Sequence, residues 1–169
     1  AKLMSQGEGY DVGDRRQLLD SIGELITGLI PRWRALSARG QVEISSTPNT
    51  HPLSPLLLDF KAARESLPEA PLPFSAAYPG GRSRVVAHID AARISHARRF
   101  GAPPVGMWPA EGAVSGDFVR HLAAADCRWI ASGEGVLNNS LAASKIIDPG
   151  AAYHPWKLEQ APGLTLFFR

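Results

Sequence analysis

The sequence predicts an α/β fold in which short parallel strands are covered by helices, and three observations carry that prediction. Residues 14–38 place Leu18, Leu19, Ile22, Leu25, Ile26, Leu29, Ile30, Trp33 and Leu36 at steps of three and four, the period of a helix with one buried face. Helix-like and strand-like runs then succeed one another in the order helix, strand, helix, helix, strand, helix, strand, as in units that join parallel strands through crossover helices. Finally, three strand-like runs break at proline or glycine and lead straight into a loop bearing His51, Glu111 or Glu134. Loops at the C-terminal ends of parallel strands carry the chemistry of such folds, because the rigid sheet aims them into one crevice.

In the first helix Asp14 is the expected N-cap and Gly40 the stop, while Pro31 kinks the helix or restarts it. Its apolar face is expected to cover a sheet. Residues 41–46 alternate polar with apolar side chains and break at Pro48, which reads as a strand running into the loop Asn49-Thr50-His51-Pro52. A helix over 53–66 comes next. Residues 68–82, with Pro68, Pro71, Pro73, Pro79, Gly80 and Gly81, read as a long surface loop with the makings of a lid. Residues 83–100 carry Val85, Ile89, Ala92 and His96 at helical spacing, and Gly101 ends them.

Gly106-Met107-Trp108 is extended, since the residue before Pro109 is pushed into the β region, and Glu111 therefore falls just past a strand. A helix over 115–125 sets Phe118, Val119 and Leu122 on one face and His121 on another. Residues 127–135 read as a short strand-like run that ends in the glycine-flanked acid Gly133-Glu134-Gly135. The last run, 164–169, reads as an apolar strand with no turn, cap or polar tail behind it. An unpaired edge of that kind invites association, so the chain is expected to be an excised fragment of a larger protein.

Composition narrows the class. With 169 residues and 44% hydrophobic content, residues 1–169 suffice for a single domain with a real core, or for a piece of a larger one. The net charge of +2 and scattered arginines give no sign of a nucleic-acid partner. The single cysteine, Cys127, excludes an intramolecular disulfide and a cysteine-based zinc site. It reads as a buried packing residue and favours a cytoplasmic setting. No run approaches the ~18 apolar residues of a membrane span. Residues 1–13 lack the apolar core of a signal peptide, so no membrane partner is expected.

Each candidate residue has a plainer reading beside the chemical one. Trp108 offers a flat apolar face next to the Glu111 carboxylate, which is how sugar rings are commonly held. Alternatively, Trp108 is core and Glu111 caps the helix beginning near Ala113. His51 is a functional group at a strand's end, or a cap or packing residue. The glycines around Glu134 let the backbone approach a ligand closely, or simply make a tight loop. His88 and His96 are eight residues apart, the wrong spacing for two metal ligands on adjacent helical turns. Trp156 stacks on a sugar or packs under a loop.

Three stretches together resemble glycoside hydrolase family 57: Gly40-Gln41-Val42-Glu43-Ile44, then Thr50-His51-Pro52-Leu53-Ser54-Pro55-Leu56-Leu57, then Gly106-Met107-Trp108-Pro109-Ala110-Glu111-Gly112-Ala113-Val114-Ser115. The resemblance runs from the first helix to Arg169. It implies part of an irregular (β/α)7-type barrel with parallel strands and covering helices. It also implies a retaining glycoside hydrolase or transglycosidase acting on α-glucans, without cofactor or metal. By the same resemblance Glu111 matches the nucleophile, and His51 and Trp108 fall in segments lining the sugar-binding cleft.

Two features of that family are missing from this sequence: its N-terminal His-Gln-Pro motif and its later acid/base aspartate. Asp117 is a poor substitute, Glu134 and Glu43 are better placed, and neither is expected to replace it, so the chain alone is expected to be inactive. Glu43 and Ser45 alternate with Val42 and Ile44. Glu43 is therefore expected to point inward among the substrate-binding residues, with Glu134, paired to Arg128 or a ligand because a lone buried carboxylate is costly. The rival readings are a non-catalytic carbohydrate-binding domain and a metal-dependent polysaccharide deacetylase. The second needs an aspartate and two histidines, for which His51, His88 and Asp90 are the set at hand.

Overall fold

The computed structural model describes residues 2–75 and 77–169. The chain divides into two compact units, Ala1–Glu43 and Ile44–Arg169.

The first unit contains α1 (Lys2–Gln6) and α2 (Val12–Ala38). The N-cap of α2 is Asp11 rather than Asp14. The Asp11 carboxylate accepts from the Asp14 N–H at 2.8 Å, and Asp14 accepts from the Asp11 N–H at 3.2 Å, a reciprocal capping box that uses two otherwise orphaned donors. The helix continues through Pro31 instead of restarting. It closes at Gly40, whose φ of 68° lets the following N–H, that of Gln41, reach back to the Leu36 carbonyl at 3.1 Å. The apolar stripe expected to be buried is exposed along Leu18, Leu19, Ile22, Leu25, Ile26, Leu29 and Trp33. The five-residue α1 is too short to cover it.

In the second unit the strand expected at 41–46 shrinks to one parallel bridge, Ser46 to Met107, with the Trp108 N–H donating to the Ser46 carbonyl at 2.7 Å. Pro48, which has no N–H, comes too soon for the ladder to continue. The helix expected at 53–66 breaks into α3 (Ser54–Leu58), a 3-10 turn Phe60–Ala62 and α4 (Ala63–Ser66). Asp59 makes the break: its backbone is extended and its carboxylate accepts from the Lys61 N–H at 2.8 Å, starting the next turn. The proline-rich connection ends where α5 (Gly81–Phe100) begins, and its Ala76 lies outside the described residues. A Cβ on Gly81 would sit 1.7 Å from the Leu57 carbonyl oxygen, so only glycine lets α5 start against α3.

The sheet has four strands, β1 (Gly106–Met107), β2 (Trp129–Ser132), β3 (Trp156–Leu158) and β4 (Ala161–Phe168), in the order β1-β2-β4-β3. The first three in that order run parallel, and β3 pairs antiparallel with β4. Strand β4 is thus held on both sides, and the free edge expected at 164–169 does not exist here. Helix α6 (Gly116–Ala124) crosses from β1 to β2, and α7 (Glu134–Ala143) leaves β2. Val85, Ile89, Met107, Phe118, Leu122, Ile130, Leu164 and Leu166 form the main core between helices and sheet. Cys127 is buried at its margin, and burial pushes its thiol up to about 11. Among the described residues no helix is long and apolar enough to cross a membrane.

Candidate active site

The Ser46 bridge, β1, β2 and β4 run in one direction, so the residues just past them emerge at one edge of the sheet. Those residues include His51, Trp108 and Glu111, Gly133 and Glu134, and Arg169.

After β1 the chain makes a 3-10 turn at Ala110–Gly112, in which Glu111 has φ 55° and Gly112 φ 67°. The left-handed region costs a non-glycine residue on the order of 1–2 kcal/mol, so the turn must be held from outside. Its anchors are the Gly112 N–H on the Pro109 carbonyl at 2.9 Å and the buried Ser132 hydroxyl, which donates to the Gly112 carbonyl at 2.6 Å. Ala110 and Gly112 are buried, and the Glu111 side chain between them is 75% exposed. Glu111 does not cap a helix: α6 begins at Gly116, and its cap is the Ser115 hydroxyl, which accepts from the Phe118 N–H at 3.3 Å.

The loop after Ser46 is tied down by the Asn49 N–H on the His88 carbonyl at 3.0 Å and the His51 N–H on the Pro48 carbonyl at 2.9 Å. His51 has φ 67°, and its Nε2 stands 3.1 Å from Glu111 Oε1 across 60 residues of sequence. The partner is a carboxylate, so Nε2 carries the proton and donates. With His51 55% and Glu111 75% exposed, the pair lies open to a ligand. An exposed pair is worth roughly 0–1 kcal/mol, so the buried anchors, more than this contact, set the loop conformations.

Trp108 is half-buried, and the Arg169 guanidinium lies 4.5 Å from its ring centroid. Arg169 is fixed by its N–H on the Ser132 carbonyl at 3.2 Å and by its own carbonyl, which accepts from the Glu134 N–H at 2.8 Å. Sequence reasoning missed Arg169. The available signal was a lone cation closing an apolar strand-like run. Glu134 is the first residue of α7 and is exposed. Beside these loops lies an open, largely apolar cavity of about 690 Å³, lined in part by Leu53, Leu56, Ala113, Val114, Val136 and Asn139.

Glu43 is exposed, not inward and buried, and belongs to the first unit. Asp117 lies in a surface cluster, where the hydrogen bond from Arg120 and the nearby Arg82 hold its carboxyl below the usual range. Trp156 packs, its indole N–H donating to the Ala151 carbonyl at 2.8 Å. His88 and Asp90 sit on α5 while His51 faces Glu111, and among the described residues no His, Cys, Asp and Glu side chains gather into a set that could hold a metal. His96, expected as a helix-face residue, places its ring nitrogens 2.7 Å from the Ala102 carbonyl and 3.0 Å from that of Ile44, bracing the segment that leads to His51.

The sequence pattern of Glycosyl hydrolase family 57 matches residues 16–169, and the chain belongs to that family. Among solved structures it is similar to the α-amylase AmyC of Thermotoga maritima, at 16% identity and a TM-score of 0.61, covering 91% of this chain and 24% of that one. It is also similar to a branching enzyme of the same family from Pyrococcus horikoshii, at 15% identity and a TM-score of 0.57, covering 94% of this chain and 27% of the other. A third, a branching enzyme from Thermococcus kodakaraensis solved with glucose, aligns at 16% identity and a TM-score of 0.54, covering 99% and 31%. At such identities the likeness concerns the fold, and the chain spans 24 to 31% of these enzymes' length. No curated protein matches it.

Proposed function

We propose that residues 1–169 belong to the irregular (β/α)7-type barrel of a retaining glycoside hydrolase or transglycosidase that acts on α-glucans, with Glu111 as its nucleophile. The observation that carries the reading is the Glu111–His51 pair, 3.1 Å apart, solvent-accessible, and delivered by neighbouring parallel segments to one sheet edge. Family membership supports the chemistry, and the likeness to an α-amylase and a branching enzyme supports the substrate class.

In this mechanism one Glu111 oxygen attacks the anomeric carbon while a second carboxyl protonates the departing glycosidic oxygen. Water or a sugar hydroxyl then attacks the anomeric carbon, the bond to Glu111 breaks and frees its carboxylate, and the acceptor's proton passes to that second carboxyl. The His51 N–H donates to Oε1, which orients the carboxylate and leaves Oε2 for attack. Trp108 and Glu134 flank the incoming sugar, and the Arg169 guanidinium adds donors for its hydroxyls. The second carboxyl must stand roughly 5 to 5.5 Å from the nucleophile in a retaining enzyme. We assign the proton donor to the family's later acid/base aspartate, for which residues 1–169 hold no match.

The test is turnover of soluble starch and maltooligosaccharides by the full-length protein and its Glu111→Gln variant. The variant is expected to lose on the order of 10³-fold or more in kcat, as enzymes do when a nucleophile is removed. Equal turnover by both proteins would remove Glu111 from the chemistry. No turnover of any glucan by the unmodified protein would favour a binding domain.

A further inference from the structure

We propose that Ser132 is a positioning residue for the reaction, holding the Glu111 carboxylate in line for attack through the carbonyl of Gly112. The proposal rests on the reading of Glu111 as nucleophile. Ser132 is the last residue of β2 and is fully buried, and its hydroxyl donates at 2.6 Å to the carbonyl of the residue directly after Glu111.

The anchor is rigid because β2 is an inner strand, its Ser132 in register with Phe168 of β4 and its Ile130 with Met107 of β1. The anchored group is not self-supporting: Glu111 and Gly112 both have left-handed backbone, and for Glu111 that conformation is costly. The turn also lies flush on the end of β2. A Cβ on Gly112 would meet the Gly133 nitrogen at 3.2 Å and the Ser132 Cα at 3.4 Å. One hydroxyl thus pins the Gly112–Ala113 peptide, which closes the left-handed turn from which the Glu111 side chain projects. The Ser132 carbonyl meanwhile accepts from Arg169 at 3.2 Å, the residue whose guanidinium covers Trp108. The Ser132 side chain is shut off from solvent and its hydroxyl bonds the Gly112 carbonyl, so removing that hydroxyl acts on the reaction through the turn.

A nucleophile displaced by even a fraction of an ångström loses rate while substrate binding is kept. In the full-length protein, Ser132→Ala is expected to lower kcat on a 4-nitrophenyl α-maltooligosaccharide roughly 10- to 100-fold. KM should stay within about twofold, and Ser132→Thr, which keeps the hydroxyl, should recover much of the loss.

A second arm separates positioning from general damage. In a Glu111→Gly background, added azide attacks the anomeric carbon in place of the carboxylate, forming a carbon–nitrogen bond as the carbon–oxygen bond breaks and nitrophenolate leaves with the electron pair. Azide is not held by the turn, so adding Ser132→Ala to that background should cost nothing further. The proposal is overturned if Ser132→Ala leaves kcat unchanged, or if it slows the azide reaction as much as the ordinary one. If Glu111→Gly alone stays active, the nucleophile reading fails, and this proposal fails with it. Should Ser132→Ala not fold, Ser132→Cys, near in size and a weak donor, is read by the same measurements.

Discussion

Glu111 comes after β1 and Glu134 after β2, two strands that pair in parallel with Met107 opposite Ile130, and both acids precede a glycine. In sequence they look alike. In the structure Glu134 enters the first turn of α7, where a negative charge suits the helix dipole, while Glu111 stays outside any α-helix, in a left-handed turn facing His51. The residues downstream of each acid decide its course. After Glu134, Leu137 and Leu141 stand one helical turn apart and are buried, so a helix forms at once. After Glu111 the next cap is Ser115, which delays α6 to Gly116 and leaves the acid on a loop whose Gly112 carbonyl accepts from the buried Ser132 hydroxyl. A helix can place a carboxylate without help. A left-handed loop needs a buried anchor, which makes the loop after β1 the more fragile of the two.

The sharpest ways to test that contrast act on the Glu111 side. Under the proposed function, His51→Ala, which removes the hydrogen bond to the Glu111 carboxylate, is expected to lower kcat roughly 10- to 100-fold, a range consistent with lost orientation rather than lost chemistry. Since the pair is exposed, the change in folding stability should stay below about 1 kcal/mol. Thermal denaturation beside steady-state kinetics checks both halves, and a large fall in Tm with intact kcat would make His51 a structural residue. Gly112→Ala comes next. It forces a side chain into a left-handed position and against Gly133, and is expected to destabilise the protein by about 1–3 kcal/mol with a parallel loss of kcat. Unchanged Tm and rate would show that the turn relaxes freely and that Ser132 is not needed to hold it.

Much of the second unit was legible from the sequence, because α5, α6 and the short strands write their burial into local spacing: Val85, Ile89 and Ala92 on one helix face, Phe118, Val119 and Leu122 on another. The misreadings occurred where a contact distant in sequence outweighs a local pattern. Residues 41–46 alternate like a strand, yet a ladder needs a partner, and only Ser46 finds one. The stripe on α2 has helical period, but period does not state what covers it. In the candidate site, the loop residues His51 and Glu111 could be named from turn chemistry and motif, whereas Ser132 and His96 could not, and Arg169 stood out only as a lone cation after an apolar run. Each of these acts through a backbone carbonyl or ring supplied from elsewhere in the fold, and such pairings leave no periodic trace.

The smallest expected effect lies on the other side of the comparison and has the opposite sign. Gly135 sits in the first turn of α7, and a Cβ there would meet nothing within 4 Å. Alanine removes backbone freedom from the unfolded chain at no cost in the folded helix, so Gly135→Ala should stabilise the protein by about 0.5 kcal/mol. Glycine beside an acid has two uses, closing a turn or letting a ligand lie against bare backbone, and this substitution distinguishes them. If Gly135 is merely tolerated by the helix, Tm rises slightly and KM for maltooligosaccharides is unchanged. A rise in Tm with a several-fold higher KM would mean that sugar approaches the backbone beside Glu134, so that the first turn of α7 would be a wall of the cleft, with Gly135 kept bare for the ligand at some cost in stability.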